Sequence, residues 1–378
     1  MVEWKTLGDI GKCMAGATPS TKERSYWENG TIPWMSSGEV HQEIVTYTAS
    51  FITQAGYDNA STKLLPIGTI VIALAGQGKT RGSVAITNIE LCTNQSLCGV
   101  VIDSDKIINK YVFYYLKTRY DDLRRISSGE GTRGGLNLKM IGSYPIPLPS
   151  LSEQNRIVGI LDTFTSSIEN LKQQIAERRK QYEYYRDQLL DLEGKEGVER
   201  RELKDICDVI NGRAYKQTEL LDKGKYRVLR VGNFFSNDSW YYSDLELEDK
   251  YYCQKGDLLY AWSASFGPHI WEEEKVIYHY HIWKMICGEK LNTKYMFYWL
   301  QSEDMRAQAF SNLHGATMAH LTKALMESLM VPVPSFEEQS RIVSILDTFE
   351  VSIANLEAQL KEREKQYEYY RNKLLTFE

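Results

Sequence analysis

Residues 73–82 read ALAGQGKTRG. A small residue at Ala73, four free positions and then Gly78, Lys79 and Thr80 meet the loosest form of a phosphate-binding loop. In such a loop backbone N–H groups cradle phosphates, the lysine reaches the outer ones and the hydroxyl holds magnesium. The chemistry requires a strand before the loop and, immediately after it, a helix whose N-terminus faces the anion. GTIVIAL at 68–74 suits the strand. RGSVAIT at 81–87 is glycine and β-branched residues, and it predicts a second strand rather than a helix. Val100-Val-Ile-Asp103 resembles a magnesium-carboxylate strand, but it follows too closely for the usual intervening elements. The stretch therefore reads as a hairpin tip presenting Gln77, Lys79, Thr80 and Arg81, with an NTP-binding DNA-associated enzyme as the alternative.

Other reactive constellations are sparse. An adenine-amino methyltransferase needs an Asn/Asp-Pro-Pro-aromatic tetrapeptide, and none of the nine prolines adjoins another. A nuclease of the commonest restriction type pairs an early Pro-Asp with an acidic-x-Lys; no proline here precedes aspartate, and Glu273-Glu-Lys275 alone is commonplace. His279 and His281 alternate on the strand-like run VIYHYHIW, and one face of a strand suits them better than a metal site, since no further ligand has matching spacing. The six cysteines are scattered without a C-x-x-C pair, which points to buried reduced thiols. No catalytic centre, cofactor or metal is expected.

The elements that must position these residues follow from a chain of 378 residues, 43% hydrophobic and 12% aromatic, enough to bury the cores of two or three domains. The first residues lack the basic and apolar regions of a leader, and no stretch approaches the roughly 20 apolar residues of a membrane span. A cytoplasmic location with no membrane partner is expected. The net charge of −5 gives no general basic field for nucleic acid. Residues 1–150 carry 15 Lys and Arg against 13 Asp and Glu, so the acidity lies elsewhere and a DNA-binding face is permitted there.

A repeat dominates the chain. Residues 147–190 and 332–375 align without gaps at an offset of 185, with 29 of 44 positions identical. Each copy opens on Pro-x-Pro and then a serine with glutamate three residues later, Ser150/Glu153 and Ser335/Glu338, a capping box. Apolar residues then recur in steps of four and three through Ile157, Leu161, Phe164, Ile168 and Leu171, and through Ile342, Leu346, Phe349, Ile353 and Leu356, continuing to Leu189 and Leu374. Arg178 and Arg363 each occupy one place in the seam. Over more than four heptads this predicts two coiled-coil helices that pack on each other, antiparallel in the simplest arrangement. From Ile157 to Leu189 the rod is about 50 Å long at 1.5 Å per residue.

The intervening segments repeat more weakly. Leu7-x-Asp9-Ile10 and Gly16 recur as Leu203-x-Asp205-Ile206 and Gly212; Gly68–Ala73 recurs as Gly256–Ala261; Lys110–Leu116 recurs as Lys294–Leu300. The fold expected is α+β: two strand-rich α/β domains at 1–146 and 197–331, separated by two long antiparallel helices at 147–196 and 332–378, with an internal pseudo-twofold repeat. Helices that keep their sequence while the domains keep only scaffold positions suit a spacer that carries two different readers.

PIPLPSLSEQNRIVGILD and VPVPSFEEQSRIVSILD with their helices, LGDIGKCMAGATPS…IPWMSSGEV, GTIVIALAGQGKTRGSVAI…TNQSLCGVV and YRVLRVGNF together resemble the specificity subunits of type I restriction–modification systems. The resemblance covers essentially the whole chain. It implies two target recognition domains, each reading one half of a bipartite asymmetric sequence in double-stranded DNA. It also implies that the helices set the half-site spacing and dock two methyltransferase subunits, with restriction subunits joining a larger complex, and that the chain carries no catalysis of its own. By analogy with other two-headed readers the half-sites would lie on the order of 34–36 Å apart. A coiled-coil scaffold without sequence preference is the remaining alternative.

Base edges are read by arginine or lysine at guanine and by asparagine or glutamine at adenine, while Ser, Thr and Lys commonly hold phosphates. On that chemistry the loop candidates in the first domain are Trp34, Ser36 and Ser37; Gln77, Lys79, Thr80 and Arg81; and Arg133 with Asn137. In the second they are Tyr215 and Lys216; Arg230 and Asn233; Ser263, Ser265 and His269; and His314.

Overall fold

A computed structural model describes residues 2–76, 79–127, 135–235, 237–263, 265–310 and 321–377, without the side chains of residues 265 and 310. The chain divides into two compact units, residues 1–171 with 359–378 and residues 172–358. Each holds one strand-rich domain, the N-terminal half of one long helix and the C-terminal half of the other.

In the first unit β1 (Glu3–Thr6) pairs antiparallel with β10 (Pro145–Leu148), bringing the domain's ends together where the first long helix begins. A five-stranded sheet runs in the order β2 (Gly11–Ala15), β9 (Leu97–Ile102), β6 (Ile70–Ala73), β7 (Val84–Thr87), β4 (Ile44–Val45). A three-stranded sheet runs β5 (Ser50–Ile52), β3 (Ile32–Met35), β8 (Cys92–Thr93), with β3 and β8 parallel. β6 is apolar at every position because both its faces are covered. Ile70 and Ile72 pack with the helix Asn109–Lys117, while Val71 and Ala73 pack with Met35, Val40 and Val45.

The second unit repeats the plan. β11 (Glu199–Glu202) pairs with β20 (Met330–Val333). One sheet runs β12 (Cys207–Asn211), β19 (Ile282–Cys287), β16 (Leu258–Ser263), β17 (Ser265–Ile270). The other runs β14 (Tyr241–Ser243), β13 (Tyr226–Leu229), β18 (Val276–Tyr278), β15 (Tyr252–Cys253), again with one parallel pair, β13 and β18. Its core gathers Tyr260, Trp283, Met285, Tyr295, Tyr298 and Trp299.

The long helices span Leu151–Leu190 and Phe336–Leu374. Ser150 and Ser335 cap them by accepting the Glu153 and Glu338 amides at 3.3 and 3.2 Å. The glutamates complete no capping box; each carboxylate takes a bidentate arginine one turn on, Arg156 or Arg341, at 2.7 Å. Gln154 and Gln339 are buried and fasten each helix to its own domain. Gln154 accepts from the Ile108 amide and donates to the Lys106 and Pro149 carbonyls; Gln339 treats Asn292, Lys290 and Pro334 likewise. Lys110 and Tyr114 bind Asp162, and Lys294 and Tyr298 bind Asp347.

The expected seam is corrected at its start. Ile157 and Leu161, and Ile342 and Leu346, are fully buried in the domain cores, because the first helical turns are fastened to the segments 106–114 and 290–298 of their own domains. Helix-on-helix contact appears at Phe164, whose ring stacks on Tyr370 at 5.4 Å and meets Tyr367 at 6.4 Å. Phe349 does the same with Tyr185 at 5.5 Å and Tyr182 at 6.5 Å. An early residue of each helix thus meets late residues of the other, the pattern of antiparallel packing. The seam arginines fit by lying over these rings, Arg363 on Phe164 at 5.6 Å and Arg178 on Phe349 at 5.8 Å. Ile168, Leu171, Ile353 and Leu356 are half-buried.

Candidate nucleic-acid interface

The residues flanking the 73–82 motif form no phosphate loop. β6 and β7 pair antiparallel, Ile70 opposite Ile86 and Ile72 opposite Val84. Strand follows loop where a helix N-terminus would be needed, so the NTP-binding alternative loses its structural basis. Gln77 lies outside the described residues. Lys79 is exposed, and its carbonyl accepts the Tyr120 hydroxyl at 2.7 Å. Thr80 is half-buried. Arg81 is corrected: it is buried, 7% exposed, and its carbonyl accepts Arg124 Nη1 at 3.3 Å, so it builds the hairpin base.

Trp34 is likewise a packing residue. It is 8% exposed, donates Nε1 to the Ala17 carbonyl at 3.0 Å and stands edge-on to Trp27 at 5.1 Å. Ser36 gives both its N–H and its hydroxyl to Glu39, at 2.7 and 2.9 Å, and opens the turn in which half-buried Ser37 lies. Asn137 is exposed, but its Oδ1 accepts the Met140 amide at 2.9 Å and caps the helix Leu138–Gly142. Arg133 lies outside the described residues.

Backbone bonds draw these segments around one turn, Asn94-Gln95-Ser96, between β8 and β9. Asn94 N–H donates to Met35 O at 3.0 Å, just before Ser36. Leu74 N–H donates to Ser96 O at 2.8 Å, at the root of the hairpin loop, and Leu136 N–H donates to Leu74 O at 2.8 Å, beside Asn137. Ala17 N–H donates to Thr93 O at 2.9 Å and Gly16 N–H to Leu97 O at 3.4 Å.

The second domain builds the same frame around His279-Tyr280-His281. His279 N–H donates to Leu229 O at 2.9 Å, Trp262 N–H to His281 O at 3.2 Å, Arg213 N–H to Tyr278 O at 3.1 Å and Gly212 N–H to Ile282 O at 3.1 Å. The turn closes in both domains, Leu97 N–H on Asn94 O at 3.2 Å and Ile282 N–H on His279 O at 3.0 Å. Gly16 and Gly212 make the frame possible. A Cβ at Gly16 would fall 1.9 Å from Thr93 O, and one at Gly212 would fall 2.4 Å from His279 O. The expectation that His279 and His281 share a strand face is thereby corrected: the run breaks into β18, a turn and β19, because His279 ends the parallel ladder by bonding back to β13.

The second-domain candidates sit around this turn or near it. Tyr215 is half-buried, stacked with His279 at 6.4 Å and lying under Arg213 at 5.1 Å. Lys216 is exposed, with its N–H on Glu219. Arg230 follows Leu229 and lies over Tyr241 at 4.2 Å, and its buried Nε has no hydrogen-bond partner among the described residues. Asn233 is corrected: Oδ1 accepts Arg230 N–H, and Nδ2 donates to the Asn237 and Ser239 carbonyls, so its amide is used within the local turn. Ser263 and Ser265 are register partners in the antiparallel pairing of β16 and β17. His269 stacks on Phe234 at 4.8 Å, and burial holds its pKa below the usual range. His314 lies outside the described residues.

His279 is pushed down to about 4, first by burial and then by the charges of His281 and Arg230, and it is neutral at pH 7. It meets Tyr280 at 4.4 Å and His281 at 4.9 Å. Among the described residues no group of three or more His, Cys, Asp or Glu side chains is placed to hold a metal, and no helix is long and apolar enough to cross a membrane. The two turns are the feature missed from sequence. A signal existed, since TNQSL and YHYHI stand at the helices' own offset of 185.

A family model for the type I restriction modification DNA specificity domain matches residues 1–178 and 195–365. The Escherichia coli type I restriction enzyme EcoR124I/EcoR124II specificity subunit is 39% identical over 204 residues, which is 52% of this chain and half the length of that relative. A putative type I restriction enzyme specificity subunit of Haemophilus influenzae is 26% identical over 100% of this chain and 96% of its own. Among solved structures, the S subunit of a type I restriction–modification system from M. genitalium superposes with TM-score 0.60 at 16% identity, covering 100% of this chain and 97% of that one. A chain from a study of type I complex assembly and conformational transition gives 0.65 at 16%, covering 99% and 96%. At such identities these two are likenesses of fold.

Proposed function

The chain belongs to the family of type I restriction–modification DNA specificity domains, and from that membership we propose that it is the sequence-reading subunit of such a complex. Each domain reads one half of a bipartite, asymmetric site in double-stranded DNA. The helices hold the spacing and dock two methyltransferase subunits, which perform the chemistry; restriction subunits join them in the cytoplasm. The carrying observation is that the two domains repeat one backbone frame through five matched hydrogen bonds, while the side chains on it differ. A common frame with exchanged contents suits two readers of different half-sites, whereas a scaffold without sequence preference has no use for the exchange.

Lys79, Thr80, Ser37 and Lys216 remain the contacts proposed for phosphates, and Arg230 for a base edge or phosphate. Exchange of residues 1–146 for the corresponding domain of a relative, followed by sequencing of the methylated bases in a host that carries the complex, tests the proposal. One half-site changes and the other stays. An exchange that left both halves as they were, with methylation intact, would refute it.

A further inference from the structure

We infer that the two turns, Asn94-Gln95-Ser96 and His279-Tyr280-His281, are the equivalent base-reading tips of the two domains, a finer assignment that rests on the DNA-reading function proposed above. Three observations converge on it.

The first is the frame. Five pairs of matched backbone hydrogen bonds hold the two turns, so main-chain atoms set most of their conformation; in the first turn Asn94 Oδ1 adds one side-chain bond by accepting the Ser96 N–H at 3.0 Å. Exposure follows the same pattern in both, half-buried, exposed, half-buried, with Gln95 and Tyr280 at the outermost place. A position whose backbone is constrained and whose side chain points to solvent can change identity without disturbing the fold, which is what a specificity-determining residue requires.

The second is the neighbourhood. The frame bonds place each turn beside the starts of other loop segments with polar side chains: Ser36, the residues after Leu74 at the end of β6, and Asn137 in the first domain; Tyr215, Arg230 and Ser263 in the second. Each turn is therefore the point at which several loop segments of its domain are tied together.

The third is the chemistry of the tips. The Gln95 carbonyl accepts the Thr18 hydroxyl, which orients the carboxamide and leaves its NH₂ and a further carbonyl lone pair for a ligand. A donor and an acceptor side by side match adenine N7 and N6 in the major groove. The second tip offers an exposed phenol ring, Tyr280, against two imidazoles and near Arg230, whose buried Nε has no hydrogen-bond partner among the described residues. Those groups match guanine N7 and O6, and they do not reproduce the carboxamide pattern. The first turn accordingly reads an A·T pair, and the second reads a different one.

The test uses the chain assembled with its methyltransferase subunits in a host without other methylation. Three variants are compared with the natural chain by methylated-base sequencing: the exchange of Asn94-Gln95-Ser96 for His-Tyr-His, and the single changes Gln95→Ala and Tyr280→Ala. Melting of each purified complex identifies variants that do not fold. The exchange is expected to alter the first half-site alone. Gln95→Ala is expected to relax one A·T position there by tenfold or more, and Tyr280→Ala to relax one position of the other half. Folded single variants that methylate the unchanged sequence with undiminished preference overturn the assignment while leaving the DNA-reading function standing. Absence of any bipartite motif with the natural chain overturns both.

Discussion

From inside the first domain's edge, Gln154 Oε1 accepts the backbone N–H of Ile108 at 2.9 Å. The same carboxamide holds two carbonyls, so one side chain at the start of a 40-residue helix ties it to the loop before the helix Asn109–Lys117. Gln339 repeats the arrangement on Asn292.

Truncation of either glutamine removes three hydrogen bonds, one to a buried carbonyl and two in part-buried positions, and each buried group left unpaired costs about 1–3 kcal/mol. Gln154→Ala and Gln339→Ala are each expected to reduce unfolding stability by about 3 kcal/mol in urea titrations. A loss below about 1 kcal/mol would mean that water or a neighbour replaces the amide.

Lys79 and Arg81 stand two residues apart, and they are expected to respond in opposite ways. Lys79 is exposed, so Lys79→Ala should leave the melting temperature unchanged, weaken DNA binding across sequences and reduce the salt slope of log affinity by about 1. Arg81 is buried, so Arg81→Ala should lower the melting temperature. Affinity titrations at several salt concentrations and a thermal melt separate the two; equal effects on both readouts would contradict the placement.

Gly212 is expected to tolerate no side chain. Gly212→Ala sets a Cβ 2.4 Å from His279 O, which forces the second domain's turn out of its frame. Methylated-base sequencing should show the second half-site degraded, with the first retained. Normal reading of both halves would show that the frame yields without consequence.

Glu219 carries a pH signature. Its pKa is held down to about 2, first by the bidentate hydrogen bonds of Arg213 and then by the Lys216 N–H. A carboxylate depressed in the folded state contributes stability above its unfolded pKa, near 4.5, and loses that contribution as pH falls toward the folded value. Glu219→Gln is expected to be less stable than the natural chain at pH 6, with the gap narrowing between pH 4.5 and pH 2. A gap independent of pH would place the effect in packing.

What was legible in the sequence was local and periodic. The long helices were plain from the 185-residue repeat and their steps of three and four, and β6 and β7 were plain from unbroken β-branched runs, because each pattern is written in neighbouring residues. The same locality excluded the phosphate loop, since RGSVAIT cannot make the helix that it needs. Tertiary structure alone decided the rest. Trp34 and Arg81 look like loop residues until distant segments close over them, and Ile157 and Leu161 look like seam until the core of the first domain takes them in. VIYHYHIW reads as one strand until His279 turns back to bond Leu229, fifty residues earlier in the chain. A residue's spacing reveals which face of an element it shares, whereas the partners that bury it or bring it to a turn come from remote backbone groups, and no short window of sequence contains them.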